Sequence, residues 1–413
     1  MNKLKIIVIG GGASGLMAAG TAAEHGAEVI LLEKMERLAE KIRISGKGRC
    51  NLTNHAELPD FINHFGSSGK FLRQPFNRFF RDDLITFFHE KGFELVCERG
   101  GRYFPRNGNG TDVANLFERW LNELGVKILK GHSVTGLKHD GNEISGVYCR
   151  DNLHRGEVVI LAAGGASYPR TGSSGAGYQL AEEAGHTIVP VRPSLVPLVP
   201  VSGTLSGLAG LDLKNVTVRI YVNGKRKKQL HGEVAFMKSA IGGPVILTES
   251  LFVVDCLRRK EQVEIGIDLK PALDQKKLDN RLIREFQNRH QEPAASVLRA
   301  LLPAPLVTAC LQQVGLDPTT QVREIDSKMR AKIRTWMKDY RFKIEGFRDI
   351  AKAMISAGGV DTREIDPNSM QSKCLKGLYL TGELIDIQAD TGGFNLQAAF
   401  STGFLAGFSA AKG

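Results

Sequence analysis

The sequence predicts an α/β fold built on a parallel sheet, and three segments lead to this prediction. The β-branched run from Lys5 to Ile9 enters a glycine-rich turn that is followed by a helix-like segment. The segments 157–165 and 377–383 are also typical of short buried strands, and both end in or near glycine. Strands of this kind that alternate with helix-like segments form parallel sheets. The sequence therefore predicts that both ends of the chain contribute to one domain.

The length allows more than one domain. The chain has 413 residues, whereas a single hydrophobic core stops growing at about 250 to 300 residues. Hydrophobic residues make up 42% and charged residues 24% of the sequence. These values are ordinary for globular proteins and exclude disordered and fibrous classes. Two or three globular domains are therefore expected.

The glycine-rich turn has the spacing of a dinucleotide-binding motif. In the run GGGASG, Gly10 allows the tight turn, Gly12 lets the backbone approach a pyrophosphate, and Gly15 lets the helix pack on the strand. The N-terminus of that helix adds N–H groups and positive potential. A second strand ends at Glu33, whose carboxylate can accept hydrogen bonds from ribose hydroxyls and disfavours a 2′-phosphate. The turn predicts a bound dinucleotide without separating FAD from NAD.

Two later segments favour FAD. A strand ends in the small residues Ala162 to Gly164, which suit close passage of backbone past a cofactor. Another strand ends in Gly382 and Glu383, with Asp386 just after, an arrangement that flavoproteins use to hold the ribityl chain and pyrophosphate. The loop from Thr391 to Asn395 then opens a helix whose N-terminus can stabilise negative charge on a reduced flavin. The alternatives are an ordinary loop and a solvated turn.

The charge of the chain favours a polyanionic partner. The formal net charge is +11 and the pI is near 9.3, which is unusual for an enzyme that acts only on neutral metabolites. Nucleic acid is the partner that this charge favours. The alternative is a basic surface that only keeps the protein in solution.

The sequence predicts a cytoplasmic protein with reduced thiols. The apolar run from Ile6 to Ile9 is too short for a signal-peptide core or a membrane span, and no interaction with a membrane is expected. The six cysteines form no CxxC pair and no cluster with zinc spacing. No metal site is therefore predicted.

Five motifs together indicate one known family. They are Gly10 to Gly15, Ile44 to Asn54, Ala163 to Gly172, Ala357 to Val360 and Thr391 to Gln397. The stretch GKGRCNLTN within the second motif is highly specific, whereas GxGxxG alone fits many families. With these motifs the chain resembles, over nearly its full length, the YhiN/BaiN-type flavoproteins, which are also described as RdsA-like or aminoacetone-oxidase-like FAD-binding enzymes.

The resemblance implies a Rossmann-like FAD-binding domain of the glutathione-reductase type that other domains interrupt. The strand-like alternation from Val216 to Val222 and the helix-like composition after residue 277 agree with this division. The expected domains are an FAD-binding domain of residues 1–192 and 345–413, an inserted β-rich, barrel-like domain of residues 193–275 with a return near 339–345, and a small helical domain of residues 276–338.

The chain departs from the family in one loop. Where the family commonly has F-T-H-x-G-x-S-G-P, this sequence has Lys238 in place of the histidine and Gly242 in place of the serine. If the loop contributes to a substrate pocket, the substrate and pH behaviour of relatives do not transfer to this chain. The FAD assignment is unaffected.

The resemblance also implies redox chemistry and a choice of substrates. A flavin transfers hydride at N5, while the protein supplies binding, orientation and electrostatics. A second GxGxxG at a strand-to-helix turn is not evident, so NADH or NADPH is expected to dock transiently as electron donor.

The family is associated with oxidation of small aminoketones, reduction in steroid pathways, and reduction of uridine to dihydrouridine in large-subunit ribosomal RNA. The basic charge favours RNA. A small-molecule amine or ketone oxidoreductase, and an RNA-binding protein with structural FAD, are the alternatives; the oligomeric state is not predicted.

Three features are candidates for substrate chemistry. Cys50, placed near a flavin, is a candidate general acid, although a buried cysteine needs no reactivity. Arg49 pairs either with a phosphate or with an internal carboxylate. The basic cluster from Lys225 to Lys228 follows a predicted hairpin turn and either contacts RNA phosphates or is a solvated loop.

The predicted site therefore combines two candidate catalytic residues with a larger cofactor-binding set. The candidate catalytic residues are Cys50 and Arg49. The predicted cofactor-binding residues are Gly10, Gly12, Ala13, Ser14, Gly15, Glu33, Lys34, Gly48, Arg49, Cys50, Asn51, Val134, Ala162, Ala163, Gly164, Gly382, Glu383, Asp386, Gly392, Gly393, Asn395 and Leu396.

Overall fold

A computed structural model of the protein describes residues 3–413, so residues 1 and 2 of the predicted segment 1–192 lie outside the described residues. The chain forms two compact units. The first unit comprises the residues up to Ser194 together with Asp349–Gly413, and the second comprises Leu195–Arg348. A further division of the second unit at residues 275 and 276 stays a prediction.

The segment up to Ser194 contains both strands and helices and begins with a strand whose last four side chains are buried. Its elements are β1 (Lys5–Ile9), α1 (Ala13–Glu24), β2 (Glu28–Glu33), α2 (Glu40–Ile44), β3 (Thr53–Asn54), α3 (Leu58–Asn63), α4 (Arg73–Arg78), α5 (Arg81–Glu90), β4 (Leu95–Glu98), β5 (Arg102–Pro105), α6 (Gly110–Glu123), β6 (Lys127–Lys130), β7 (Gly136–Asp140), β8 (Glu143–Cys149), β9 (Asn152–Arg155), β10 (Val158–Leu161), α7 (Ala176–Glu183) and β11 (Ile188–Ser194).

The second unit begins with strands and continues with helices. Its elements are β12 (Leu198–Pro200), β13 (Asp212–Val222), β14 (Lys225–Phe236), β15 (Ile241–Gly242), α8 (Pro244–Arg258), β16 (Val263–Asp268), α9 (Gln275–Asn288), α10 (Ala294–Leu298), α11 (Ala304–Val314), α12 (Ser327–Lys338) and β17 (Tyr340–Phe347). The chain then returns to the first unit with β18 (Ile355–Val360), β19 (Leu378–Leu380) and α13 (Gly392–Lys412).

The first unit is built on a five-stranded sheet in the order β19-β10-β1-β2-β6. All neighbouring strands in this sheet are parallel. Strand β10 is a continuous buried apolar run, as expected when both faces of a parallel sheet are covered. Because β10 pairs with β1 on one side and with β19 on the other, the sheet joins both ends of the chain. The predicted α/β fold with a Rossmann-like domain is confirmed.

The second unit contains a closed barrel in the order β12-β15-β14-β13-β16-β17. Its core side chains alternate along β13, where Val218, Ile220 and Val222 are buried and the residues between them are partly exposed. Helix α9 buries Leu278, Leu282 and Phe286, whose spacing of four residues forms one apolar stripe. Buried side chains recur every second residue in β13 and about once per helical turn in α9, as in a strand and a helix with one buried face. The barrel and the helices confirm the predicted fold class in this unit too.

Helices α1 and α13 approach each other through glycine. A Cβ atom added to Gly403 would lie 3.0 Å from the carbonyl carbon of Ser14, and one added to Gly407 would lie 3.0 Å from that of Ala18, with the carbonyl oxygens closer still. The backbones of the two helices therefore leave no space for a side chain. This contact links the C-terminal helix to the glycine-rich turn that precedes α1.

Replacing Gly407 with valine is expected to lower the free energy of unfolding by about 3 kcal/mol or more, because overpacking without room to relax forces backbone shifts. Ser409→Val, at a partly exposed position of the same helix, should change it by less than about 1 kcal/mol. Urea unfolding of both variants measures the difference. Equal stability of the two variants would contradict the close packing of α1 and α13.

Candidate active site

The glycine-rich turn leaves space for an anion at the start of α1. Gly12 is the N-cap residue of α1, and a Cβ atom added to it would meet no atom of residues 3–413 within 4 Å. Gly10 has a φ of +102°, and its added Cβ would lie 2.5 Å from the carbonyl oxygen of Ala162. A Cβ atom added to Gly15 would lie closer still, 1.9 Å from the carbonyl oxygen of Gly10. The turn is therefore closely packed at Gly10 and Gly15, whereas the space beside Gly12 and the first N–H groups of α1 is open among the described residues. This open space fits a pyrophosphate.

The carboxylate of Glu33 lies beside this turn. Its Oε2 accepts a hydrogen bond of 2.6 Å from the backbone N–H of Gly11, and its Oε1 accepts one of 2.7 Å from that of Met35. Glu33 is buried, and each carboxylate oxygen retains a further lone pair for a hydroxyl group. The next residue, Lys34, donates a hydrogen bond of 2.7 Å to Ser174, and burial lowers its pKa. This arrangement fits a ribose at the end of β2.

Glu383 is the centre of a polar cluster at the end of β19. Its Oε1 accepts hydrogen bonds from the backbone N–H of Ser356 at 2.8 Å and from the hydroxyls of Ser356 and Ser167, both at 2.9 Å. Its Oε2 pairs with the ammonium of Lys41 at 2.5 Å. Lys41, Ser167 and Ser356 were not among the predicted site residues. A Cβ atom added to the neighbouring Gly382 would lie 2.4 Å from Oγ of Ser14, so the end of β19 packs closely against α1.

The first unit also contains four more of the predicted residues. Gly164, after β10, has a φ of +71°, which favours glycine. Asp386 accepts a hydrogen bond of 3.1 Å from the N–H of Gly358, and burial raises its pKa. Val134, in the loop after β6, and Leu396, in α13, are both partly buried.

The GKGRCNLTN loop meets the loop that opens α13. Lys47, Gly48 and Cys50 all have φ between 57° and 88°, so the loop turns tightly. With its amide oriented to satisfy its neighbours, Asn51 accepts a hydrogen bond of 3.3 Å from the N–H of Gly393. Asn395 in turn donates hydrogen bonds to the carbonyls of Ala389 and Thr391 at 3.1 and 2.8 Å. Two distant motifs are therefore brought together.

The start of α13 offers positive potential. Its N-cap residue is Thr391, and within the described chain no side chain caps the helix or places an acid in its first turn. A Cβ atom added to Gly392 would meet nothing within 4 Å among residues 3–413. The first N–H groups of α13 can therefore stabilise negative charge, which fits the pyrimidine side of a reduced flavin.

Cys50 is fully buried. Its relative exposure is 0%, and burial raises the pKa of its thiol to about 12. The thiol therefore keeps its proton at neutral pH and presents no surface to a substrate. Its role as a general acid stays a prediction.

Arg49 is exposed and pairs with a carboxylate. Its Nη1 lies 3.2 Å from Oε2 of Glu98, and its guanidinium lies 4.3 Å from the ring centroid of Phe104. The internal salt bridge, one of the two alternatives left open by the sequence, is present. A contact between Arg49 and a phosphate stays a prediction.

A histidine and an aspartate that the sequence analysis missed lie beside the opening of α13. Nδ1 of His64 lies 2.7 Å from Oδ1 of Asp390, and the imidazole contacts Phe394 with 3.9 Å between ring centroids. The side chains are 34% and 36% exposed. Asp390 directly precedes the TGGFN motif, and His64 follows GKGRCNLTN by ten residues. Each residue is therefore near one of these motifs in the sequence, but a lone histidine carries little signal and only the fold brings the two together.

The departures Lys238 and Gly242 lie in the second unit. Lys238 is exposed between β14 and β15. A Cβ atom added to Gly242 would lie 3.0 Å from Cε of Met237, so a serine at this position requires Met237 to shift. Whether this loop lines a substrate pocket stays a prediction.

Three potential metal ligands meet elsewhere in the first unit. Nδ1 of His186 lies 3.3 Å from Glu364 and 3.7 Å from Sγ of Cys374. The hydroxyl of Ser372 accepts from the backbone N–H groups of Cys374 and Leu375, so its proton is directed at Nε2 of His186, 2.7 Å away. Nδ1 then carries the ring proton and donates it to Glu364. The group is satisfied as a hydrogen-bond network.

Comparison with known proteins agrees with this geometry. A family described as "HI0933-like protein Rossmann domain" matches residues 4–409. The chain is 32% identical to a 3-dehydro-bile acid delta(4,6)-reductase of Clostridium scindens, over 99% of each chain. It is 27% identical to a ribosomal RNA dihydrouridine synthase of Haemophilus influenzae, over 98% of each chain.

The fold also matches a solved flavoenzyme. The structure of 3-ketosteroid delta1-dehydrogenase from Sterolibacterium denitrificans aligns with a TM-score of 0.50 over 100% of both chains, at 12% identity. This likeness concerns the fold alone. Separately, none of the helices within residues 3–413 combines the length and apolar character that a membrane crossing requires.

Proposed function

The chain belongs to the HI0933-like family of FAD-binding Rossmann proteins and is an FAD-dependent oxidoreductase, and on this premise we propose that it reduces uridine to dihydrouridine in large-subunit ribosomal RNA. NADH or NADPH is the proposed electron donor. We choose RNA as the substrate because of the distribution of charge between the two units.

Nearly all of the net positive charge is in the second unit. Residues 195–348 contain 26 Lys and Arg against 16 Asp and Glu, a formal charge of +10, whereas the rest of the chain contains 29 against 28. A protein that binds only a small neutral molecule has no need for such a separation. Cations that neutralise phosphates supply the sequence-independent part of nucleic-acid binding. The inserted unit therefore suits a polyanion.

The two named relatives act on chemically related bonds. Uridine has a C5=C6 double bond conjugated to the C4 carbonyl, and a 3-dehydro-delta(4,6) bile acid has double bonds conjugated to its C3 carbonyl. In both cases hydride adds to the carbon of a double bond that is farther from the carbonyl, and a proton adds to the nearer carbon of the same bond. The identity of 32% to the bile acid reductase favours a second candidate, the reduction of a small cyclic enone.

The chain supplies groups for both halves of this reaction. When bound, FAD supplies the hydride. The N-terminus of α13 stabilises negative charge on the cofactor side, and Glu33, Gly12 and the Glu383 cluster hold the dinucleotide. His64 donates the proton: Asp390 occupies Nδ1 and orients the ring, so the proton passes from Nε2. The partly exposed imidazole then regains a proton from solvent.

Product analysis tests the substrate. The holoenzyme is incubated without oxygen with NADPH and either unmodified large-subunit ribosomal RNA or a steroid 4,6-dien-3-one. Mass spectrometry of the digested RNA is expected to show dihydrouridine, with little turnover of the steroid. Turnover of the steroid alone would replace the RNA proposal with the second candidate.

The basic hairpin offers a separate test of RNA binding. Lys225 to Lys228 form the exposed start of β14, where Lys228 pairs with Glu249 at 3.6 Å and Arg226 donates to Gln229 at 3.1 Å. Lys225→Glu with Lys227→Glu is expected to weaken RNA binding and to lower the salt dependence of log K by about 0.7 to 0.9 per lost phosphate contact. Filter binding at several salt concentrations measures it. Unchanged salt dependence would show that the hairpin does not contact RNA phosphates.

A further inference from the structure

A surface groove in the second unit is lined by cations. It has a volume of about 330 Å³ and lies along α9, which follows directly from the barrel strand β16. Lys270, Lys277, Arg281 and Arg284 line it. Of these, Lys277 and Arg284 are exposed, whereas Lys270 and Arg281 are partly buried. The groove was not predicted from the sequence, because its cations are spread among acids in the helix-like segment.

The cations form a stripe on one face of α9. Residues 277, 281 and 284 are separated by four and three positions, which places them on successive turns of the same face. At 1.5 Å per residue the stripe is about 10 Å long, and Lys270 extends it beyond the start of the helix. A stripe of this length suits consecutive phosphates of an extended chain better than a single small anion.

The acidic residues near the groove do not cancel its positive charge. Glu285 pairs with Arg281 through Nη2 at 2.8 Å, and Asp274 caps α9 by accepting from the N–H of Lys277. Nε of Arg281 is buried with no hydrogen-bond partner among residues 3–413. Burial, followed by the charge of Arg281, lowers the pKa of Lys270. Two neighbouring cations that repel each other are stabilised when an anion binds between them.

The remaining lining residues suit the other parts of a nucleotide. Leu273 and Leu301 provide apolar surface for a sugar or base, and Asn280 provides an amide that can both donate and accept hydrogen bonds. Arg284 can also stack on a base through its guanidinium plane. The groove therefore combines phosphate contacts with apolar and amide contacts.

We infer that this groove binds the phosphodiester backbone of RNA, with Lys277, Arg281 and Arg284 contacting consecutive phosphates. The inference rests on the proposed RNA substrate and assigns part of its docking surface to α9. The groove supplies affinity, whereas the chemistry belongs to the first unit.

The test compares charge reversals on the same helix in the full FAD-containing protein. Binding of unmodified large-subunit ribosomal RNA is measured over a range of salt concentrations for Lys277→Glu, Arg284→Glu and the control Lys276→Glu, whose exposed side chain does not line the groove. Each groove variant is expected to bind about tenfold more weakly and to lower the salt slope by about 0.7 to 0.9. Lys276→Glu and Lys277→Arg should stay near the wild-type values.

The outcomes separate the groove from the proposed function. If Lys277→Glu, Arg284→Glu and Lys276→Glu share one salt slope, the groove does not bind RNA. Displacement of RNA by inorganic pyrophosphate at an equal concentration of phosphate groups would also overturn the inference, since the groove would then hold a small phosphorylated molecule. If the slopes change as expected but bound RNA never reoxidises the reduced flavin, the groove stands and the proposed reaction fails.

Discussion

Gly12→Val is expected to weaken FAD binding strongly while leaving the fold intact. Gly12 has a φ of −86° and a ψ of −173°, which valine adopts without strain, and the added side chain meets no atom of residues 3–413 at the Cβ position. The side chain instead enters the space above the start of α1, where the pyrophosphate would lie. We expect the dissociation constant of FAD to rise at least about 100-fold, or about 2.7 kcal/mol.

The matched control is Gly346→Val. A Cβ atom at Gly346 in β17 also meets nothing within 4 Å among the described residues, but this glycine belongs to the second unit. Titration of the apoproteins with FAD, together with thermal unfolding without FAD, separates the two effects. Wild-type affinity in Gly12→Val would contradict the assignment of the pyrophosphate to this turn, whereas unfolding of the apoprotein would contradict the open space above it.

His64→Gln is expected to slow the reoxidation of reduced flavin by substrate about 10²- to 10⁴-fold, the usual contribution of a general acid. Glutamine keeps a polar side chain but cannot pass on a proton. FAD affinity and reduction of the flavin by NADPH should stay near wild type, because neither step uses this proton. Single-turnover kinetics of the two half-reactions measures the contrast.

Two further variants identify the donor. Asp390→Asn should slow the same half-reaction less than His64→Gln does, because Asp390 acts only by orienting the imidazole. Cys50→Ala should retain most of the turnover, because the thiol is buried and protonated. If Cys50→Ala stopped the reaction and His64→Gln did not, Cys50 would be the acid and the role of His64 would be excluded.

The parts of the fold that could be predicted depend on local sequence. Strand β1, the glycine turn and α1 are contiguous, so their periodicity and the roles of Gly10, Gly12 and Gly15 follow from a short stretch of chain. The alternation in β13 likewise predicts a strand, whereas the barrel-like domain was expected only from the family resemblance. The strand pairs that close the barrel could not be predicted from local patterns, because β12 pairs with β15 and also with β17, whose paired residues lie more than 140 residues after those of β12.

The parts of the site that were missed depend on contacts between distant residues. Glu383 was predicted, but its partners Lys41 and Ser167 lie 342 and 216 residues away, and neither is conspicuous in its own segment. The pair of His64 and Asp390 spans 326 residues. Cys50 drew attention because it lies in a specific motif, whereas only the fold shows that its thiol is enclosed.

The most direct test of the account is anaerobic stopped-flow of the NADPH-reduced holoenzyme mixed with unmodified large-subunit ribosomal RNA, followed at the flavin absorbance band. We expect rapid reoxidation, with one dihydrouridine formed for each flavin reoxidised and a rate that falls as salt is raised. A reduced flavin that is indifferent to RNA but is reoxidised by a small conjugated enone would contradict the RNA substrate and leave a small-molecule reductase.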